Sequence, residues 1–288
     1  MIRRRGEGET RGQDGFSASP CLRVTVSVLF LAGCVPVPPG MLPQAPAAAA
    51  EAVAYPDIEP TGVSIASLHF KLRGYHEPEL HTISSLAEDI YNRIGMDTGL
   101  YSFLAGQSYA LVVYKDSDEY TAKTKQPAGS RAVASGGSLY TYAGPDLAPA
   151  LAHHIMHMVF NSYMGDKAAA LQWLNEGLAL REEVARMTDY ERTLFQTTQN
   201  NQLRSERMPF SQMVYVIGTD EQKRRQDLWY LQAESVVSYL SKQGSSLAFA
   251  AFLGHLRSGA TADQALSSNY AGKFDSLKDL ESTWRAEI

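Results

Sequence analysis

The apolar positions change rhythm along the chain. Up to about residue 145 they form short runs bounded by turn residues, with one helical stretch among them; beyond it helical spacing dominates. Residues 63–72 read as a strand. Ile83, Leu86, Ala87, Ile90, Tyr91 and Ile94 recur at helical spacing and predict a helix over 80–94. Tyr109 to Tyr114, rich in β-branched and aromatic residues, predicts a buried strand. Gly136 to Tyr142 predicts another, closed by Gly144-Pro145. Helices are expected over 147–164, 169–187, 228–243, 246–258, 261–268 and 275–287, with loops at 115–135 and 188–227 that carry no pattern. Strands first and helices after argue for an α+β domain, a small mixed sheet followed by helices. The polar segment 188–227 reads as a lid or a surface excursion, and no internal repeat is present.

The N-terminal part follows a different rule. Arg3, Arg4, Arg5, Arg11 and Arg23 precede an apolar run from Val24 to Leu31, then Ala32, Gly33 and Cys34. That run is too short to span a bilayer, which takes about 20 apolar residues. Leu31-Ala32-Gly33-Cys34 resembles the lipobox of bacterial lipoproteins, which implies cleavage before Cys34 and its lipidation. A secretory segment with a chance cysteine is the plainer alternative, and the long n-region leaves a start nearer Leu22 open. From Val35 to about Gly62 come seven of the thirteen prolines and an alanine run, the composition of an extended tether. The expected organisation is a signal peptide at 1–33, a tether at 34–62 and a folded domain at 63–288. The lipoprotein resemblance implies an exported protein held in the cell envelope by acyl chains on Cys34. Val35 after the cysteine favours the outer membrane if the host has one.

Charge and cysteine content narrow the partners. At 288 residues and 44% hydrophobic, the chain is long enough to bury a substantial core. A net charge of -5 offers no basic stripe for nucleic acid. Loss of residues 1–33 removes five arginines and three acids, so -5 becomes -7. The only cysteines, Cys21 and Cys34, would be removed and lipidated respectively, which leaves no disulfide in the mature chain.

The chemistry concentrates in the helix expected at 147–164. His153, His154 and His157 lie within five residues. At about 100° per residue, His153 and His157 stand about 40° apart, while Leu151, Ala152, Ile155, Met158 and Val159 cluster on the other side. The helix is expected to bury that apolar side and to aim two imidazoles at one point, as zinc-binding His-x-x-x-His pairs do. A histidine pair alone also fits an exposed helix surface, because zinc needs further ligands. Glu176, in Trp173-Leu174-Asn175-Glu176-Gly177-Leu178-Ala179, is the third candidate. Eighteen residues separate it from His157, enough to end one helix, turn at Gly165-Asp166 and return antiparallel.

The stretch from His153 to Glu183 resembles the gluzincin metallopeptidases, in particular the peptidase MA-like and aminopeptidase-N-like groups. Their pattern is His-Glu-x-x-His, eighteen residues, then Glu within Trp-Leu-Asn-Glu-Gly-Phe/Leu-Ala, which Trp173 to Ala179 matches residue for residue. Weaker likeness at Ser67-Leu68-His69-Phe70 and from Gly244 to Trp284 extends the resemblance over about 63–288. It implies a zincin-like fold, zinc ligands at His153, His157 and Glu176, and an orienting role for Glu183. It also implies a tyrosine at Tyr230 that stabilises the tetrahedral intermediate, and a substrate-binding edge strand at Gly136 to Tyr142. A core role for Tyr230, one of fifteen tyrosines and next to Trp229, is the plainer reading.

One position departs from the pattern. His154 stands where the family has the glutamate that takes the proton from zinc-bound water. An imidazole that accepts a proton beside a dication becomes a second cation, so it is the weaker base there. His154 either fills the base's place or turns to the metal as a fourth ligand, which would close the site. Three functional readings follow: a zinc-binding, membrane-anchored pseudopeptidase whose groove takes an extended peptide or an envelope protein, an active but atypical zinc peptidase, or a metal-free structural domain.

Overall fold

The computed structural model describes residues 54–100, 108–127, 129–214 and 220–288; the expected signal segment, Cys34 and the tether up to residue 53 lie outside them. The protein is α+β, with a small mixed sheet and a predominantly helical remainder. β1 (Val63–Ala66) and β2 (Phe70–Gly74) lead to α1 (Glu77–Thr98), β3 (Tyr109–Tyr114) and α2 (Ser117–Thr124). β4 (Ala132–Ser135) and β5 (Ser138–Tyr142) precede α3 (Leu147–Met164) and, after a 3-10 turn at Gly165–Leu171, α4 (Gln172–Arg186). Then come α5 (Asp189–Ser205), α6 (Phe210–Met213), α7 (Asp220–Lys242), α8 (Ser246–Arg257), α9 (Ala262–Asn269) and α10 (Leu277–Glu287).

The strand order is β1-β2-β3-β5-β4, with β2, β3 and β5 parallel and β1 and β4 antiparallel to their neighbours. The parallel joins need crossovers, and α1 and α2 lie within them. Alternation along β3 and β5 splits their side chains between two faces. Leu111, Val113 and Leu139 face the main core with α1 and α3, whereas Val112, Tyr114, Tyr140 and Tyr142 form a second cluster on the outer face.

The expected single strand at 63–72 is two strands. The backbone turns at Ser67, whose N–H donates to Phe70 O (2.8 Å), and Glu88 captures both the N–H (2.7 Å) and Nδ1 (2.6 Å) of His69. The segment 115–135 contains α2 and β4. Asp116 caps α2 by accepting from the N–H groups of Asp118 and Glu119. Gly136 and Gly137, taken above as the start of a strand, both have positive φ (57° and 74°) and make the tight turn between β4 and β5. The strand expected at the substrate edge, β5, is therefore interior, and β4 is the edge. Within the segment 188–227, Asp189–Ser205 forms α5, which opens on a reciprocal Thr188–Glu191 capping box. Packing starts before Val63, since Ile58 is buried in the outer cluster, so the proline-rich composition outlasts the extended tether.

α1 begins with Pro78 and acids in its first turn and ends at Gly99, whose left-handed φ of 72° suits a C-cap. Among the described residues no helix is long and apolar enough to cross a membrane.

One buried acid has no role in the chemistry derived below. Glu182 on α4 is 2% exposed, and its nearest cation, Arg181 Nη1, stands 3.7 Å away. Burial pushes its carboxyl up to about 7; Asp97 adds to the rise, while Arg181, Arg93 and Arg186 oppose it. A carboxyl raised from its ordinary 4.5 costs nothing below that pH, and the cost grows until it is full above about pH 7. Glu182→Gln is expected to stabilise the fold by about 1–3 kcal/mol at pH 8 and to change nothing at pH 4.5, read from urea midpoints at both pH values.

Candidate metal centre

α3 is buried on nearly every side, contrary to the one-sided burial expected. Leu151, Ala152, Ile155, Met156, Val159 and Phe160 enter the core, yet His153 and His154 are each only 8% exposed. The reason is that α3 lies between the sheet with α1 and the returning α4, which leaves little of it to water apart from Asn161 and Ser162. Gly165 (φ 54°, ψ -131°) stops α3, and the 3-10 turn reverses the chain into α4. The expected reversal at Gly165-Asp166 is present, and it brings Glu176 back to the histidines.

His153, His157 and Glu176 converge, with ligand atoms all within 4.8 Å of one another. The two Nε2 atoms are 3.0 Å apart, and Glu176 Oε2 is 3.4 Å from that of His157 and 3.9 Å from that of His153. Each Nδ1 faces an acceptor: His153 meets Glu183 Oε2 and His157 meets Asn175 Oδ1, both at 2.8 Å. Asn175 Nδ2 donates to Asn161 Oδ1 (3.2 Å), which turns its Oδ1 toward the ring. Both imidazoles therefore carry the proton on Nδ1 and aim an Nε2 lone pair inward. Two lone pairs and a carboxylate oxygen aimed at one point suit a cation. Donors arranged tetrahedrally around zinc at roughly 2.0–2.1 Å stand about 3.3 Å apart, within the range seen here.

His154 does not belong to this group. Its ring centroid is 5.2 Å from that of His153 and 6.1 Å from that of His157, and the ring lies against the backbone of Ala132 on β4. The expectation of a fourth metal ligand gives way to this contact, because α3 packs on the edge strand and position 154 faces it. Burial holds the ring's pKa well below the usual histidine range; His153 and His157 push it further down, against Glu176 and Ala132. His154 is a neutral imidazole at neutral pH.

Tyr230 is buried on α7, its ring edge-on to Trp229 at 4.9 Å. α7 reaches α4 because Gly177 has no side chain. A Cβ there would lie 2.6 Å from Ala233 O and 2.7 Å from Val237 Cγ2. The glycine that follows Glu176 thus permits close helix packing directly beside the metal group.

Asn175 and Asn161 were not singled out as site residues in the sequence. The signal for Asn175 was present in its place beside Glu176, but an asparagine carries no charge pattern to mark it. Removing the Nδ1 acceptors frees the imidazoles to rotate. Asn175→Ala and Glu183→Ala are each expected to weaken metal affinity about 10- to 100-fold, measured by competition with a chromophoric chelator, with the fold retained. Unchanged affinity in both would show that the acceptors do not orient the pair.

Residues 147–288, from the start of α3 to the C-terminus, match the Peptidase MA superfamily. A search of curated proteins gives no match. Two similar solved structures are of a yeast enzyme. Native leukotriene A4 hydrolase from Saccharomyces cerevisiae is 17% identical over 77% of this chain and 38% of its own, with a TM-score of 0.45. The yeast enzyme in complex with bestatin is 18% identical over 77% and 39%, with a TM-score of 0.44. The chain spans less than two-fifths of the length of either. Residues 147–288, which hold the His153, His157 and Glu176 group, thus form a gluzincin-like domain that matches the Peptidase MA superfamily.

Proposed function

We propose that this is an exported, lipid-anchored metallopeptidase-like protein that holds zinc at His153, His157 and Glu176 and has impaired or lost peptidase activity. The observation that carries the reading is the placement of His154. In the resembling family this position supplies a carboxylate that accepts a proton, whereas here it holds a buried, neutral imidazole against the backbone of the edge strand at Ala132. The donor set, two nitrogens and one carboxylate oxygen, favours zinc over the hard cations that prefer oxygen throughout. A bound zinc supplies Lewis-acid polarisation of a peptide carbonyl. Glu183 and Asn175 hold the two rings; Tyr230 is the candidate hydroxyl for charge that develops on the substrate. Loss of a general base costs about 10²- to 10⁴-fold in rate. The chain therefore acts chiefly as a binder of an extended peptide or envelope protein, anchored through Cys34 in the cell envelope, in the outer membrane if the host has one.

An active, atypical zinc peptidase is the second reading. The intact support of both imidazoles by Glu183 and Asn175 favours it, since a site kept only for folding has no need of that precision.

Elemental analysis of the purified chain is expected to give about one zinc per molecule, lost in His153→Ala and Glu176→Ala. A metal-free parent would sink the metal reading. Peptide hydrolysis by the parent is expected to lie at least about 100-fold below that of His154→Glu. Turnover in the parent at the level of the variant would instead establish the active peptidase.

A further inference from the structure

The outer face of the sheet, opposite α3, is covered by the chain's own segment Tyr55–Glu59. Ile58 is 6% exposed among Val112, Tyr114, Tyr140 and their neighbours. The main chain of the segment is held by side chains. Tyr114 Oη donates to Pro56 O (2.5 Å), Lys123 Nζ donates to Asp57 O (2.7 Å), and the Glu59 N–H donates to Tyr75 Oη (3.1 Å). Further contacts read side chains: Arg73 pairs with the Asp57 carboxylate, and the Tyr55 ring lies edge-on to Tyr140 at 5.3 Å. Gln126 Nε2 also donates to Tyr55 Oη (3.2 Å).

A continuing strand would pair backbone to backbone; a groove that reads a ligand uses side chains, and aromatic grooves of this kind suit proline-containing segments. Pro56 has no N–H to leave unsatisfied, and its ring restricts the extended form in advance. The receiving groups also keep their places without the segment. Glu119 accepts from Tyr75 Oη (2.7 Å), Lys123 Nζ (2.7 Å) and the Lys115 N–H (2.8 Å), so Tyr75 and Lys123 are positioned from the body of the domain. The segment joins β1 through a short turn in which the Gly62 N–H donates to Glu59 O (3.0 Å).

We propose that this face is a peptide-binding site for a short extended segment of the class aromatic, proline, acid, aliphatic. Tyr55–Glu59 is its resident ligand in cis, and the same segment of a second copy fits it in trans.

The test uses the full chain carrying Tyr55→Ser and Ile58→Asp, which unseat the resident segment, and a fluorescent peptide of residues 54–60. Saturable binding is expected, at least tenfold tighter than to the parent, where the tethered segment competes at an effective concentration on the order of millimolar. Arg73→Glu in the released chain should weaken binding at least tenfold, and a peptide with Asp57→Arg should restore it. A released chain that keeps its circular dichroism and metal content but shows no saturable binding overturns the proposal. So does binding indifferent to Arg73→Glu. If the double variant does not fold, Ile58→Ala loosens the segment with a smaller loss, and a peptide that binds this variant no tighter than it binds the parent overturns the proposal.

Discussion

The structure depends on one unfavourable arrangement made tenable. Two imidazole nitrogens face each other across 3.0 Å inside a nearly buried wall, each with its lone pair turned inward by an acceptor on the far side of the ring. Without a cation that arrangement is repulsive, and it persists only because α4 supplies Glu183, Asn175 and Glu176 from one helix. α4 can do so only if it runs back along α3, which requires the reversal at Gly165, and only if α7 closes over it at Gly177. The motif Trp173 to Ala179 is therefore both a ligand sequence and a packing sequence. Trp173, Leu174 and Leu178 fill the core while Asn175 and Glu176 face the histidines.

The same burial explains what was legible in the sequence and what was not. The metal group was readable because its spacing is set by helix geometry: a step of four positions from His153 to His157, and a return helix to reach Glu176. The sidedness of α3 was misread because a helical wheel assumes water on one side, and here α4 occupies that side. β4 was missed because Ala132 to Ser135 is small and weakly apolar, and it becomes a strand only by pairing with β5 across the Gly136-Gly137 turn. α5 was missed because its surface is polar; its Thr188–Glu191 capping box was the available local signal. The clasp of Tyr55–Glu59 was hidden for a different reason. Its proline content resembles the tether upstream of it, and only the tyrosines of β3 and β5, far away in the chain, give it a seat.

The exchange of carboxylate for imidazole at position 154 changes two things together. A neutral imidazole has an N–H to offer the Ala132 backbone against which it lies, and so can tie the metal helix to the edge strand. A carboxylate in the same place has no proton to give at neutral pH, and would set negative charge against the carbonyl oxygen dipole of that backbone. It would have to turn away from β4, toward the metal group, where the family's proton acceptor works. Reactivity and the tie between α3 and β4 therefore exclude one another at this position. The histidine gives up the stronger base and gains a fixed edge, at the strand along which an extended ligand would lie. That trade accords with the proposed role of holding a chain rather than cutting it.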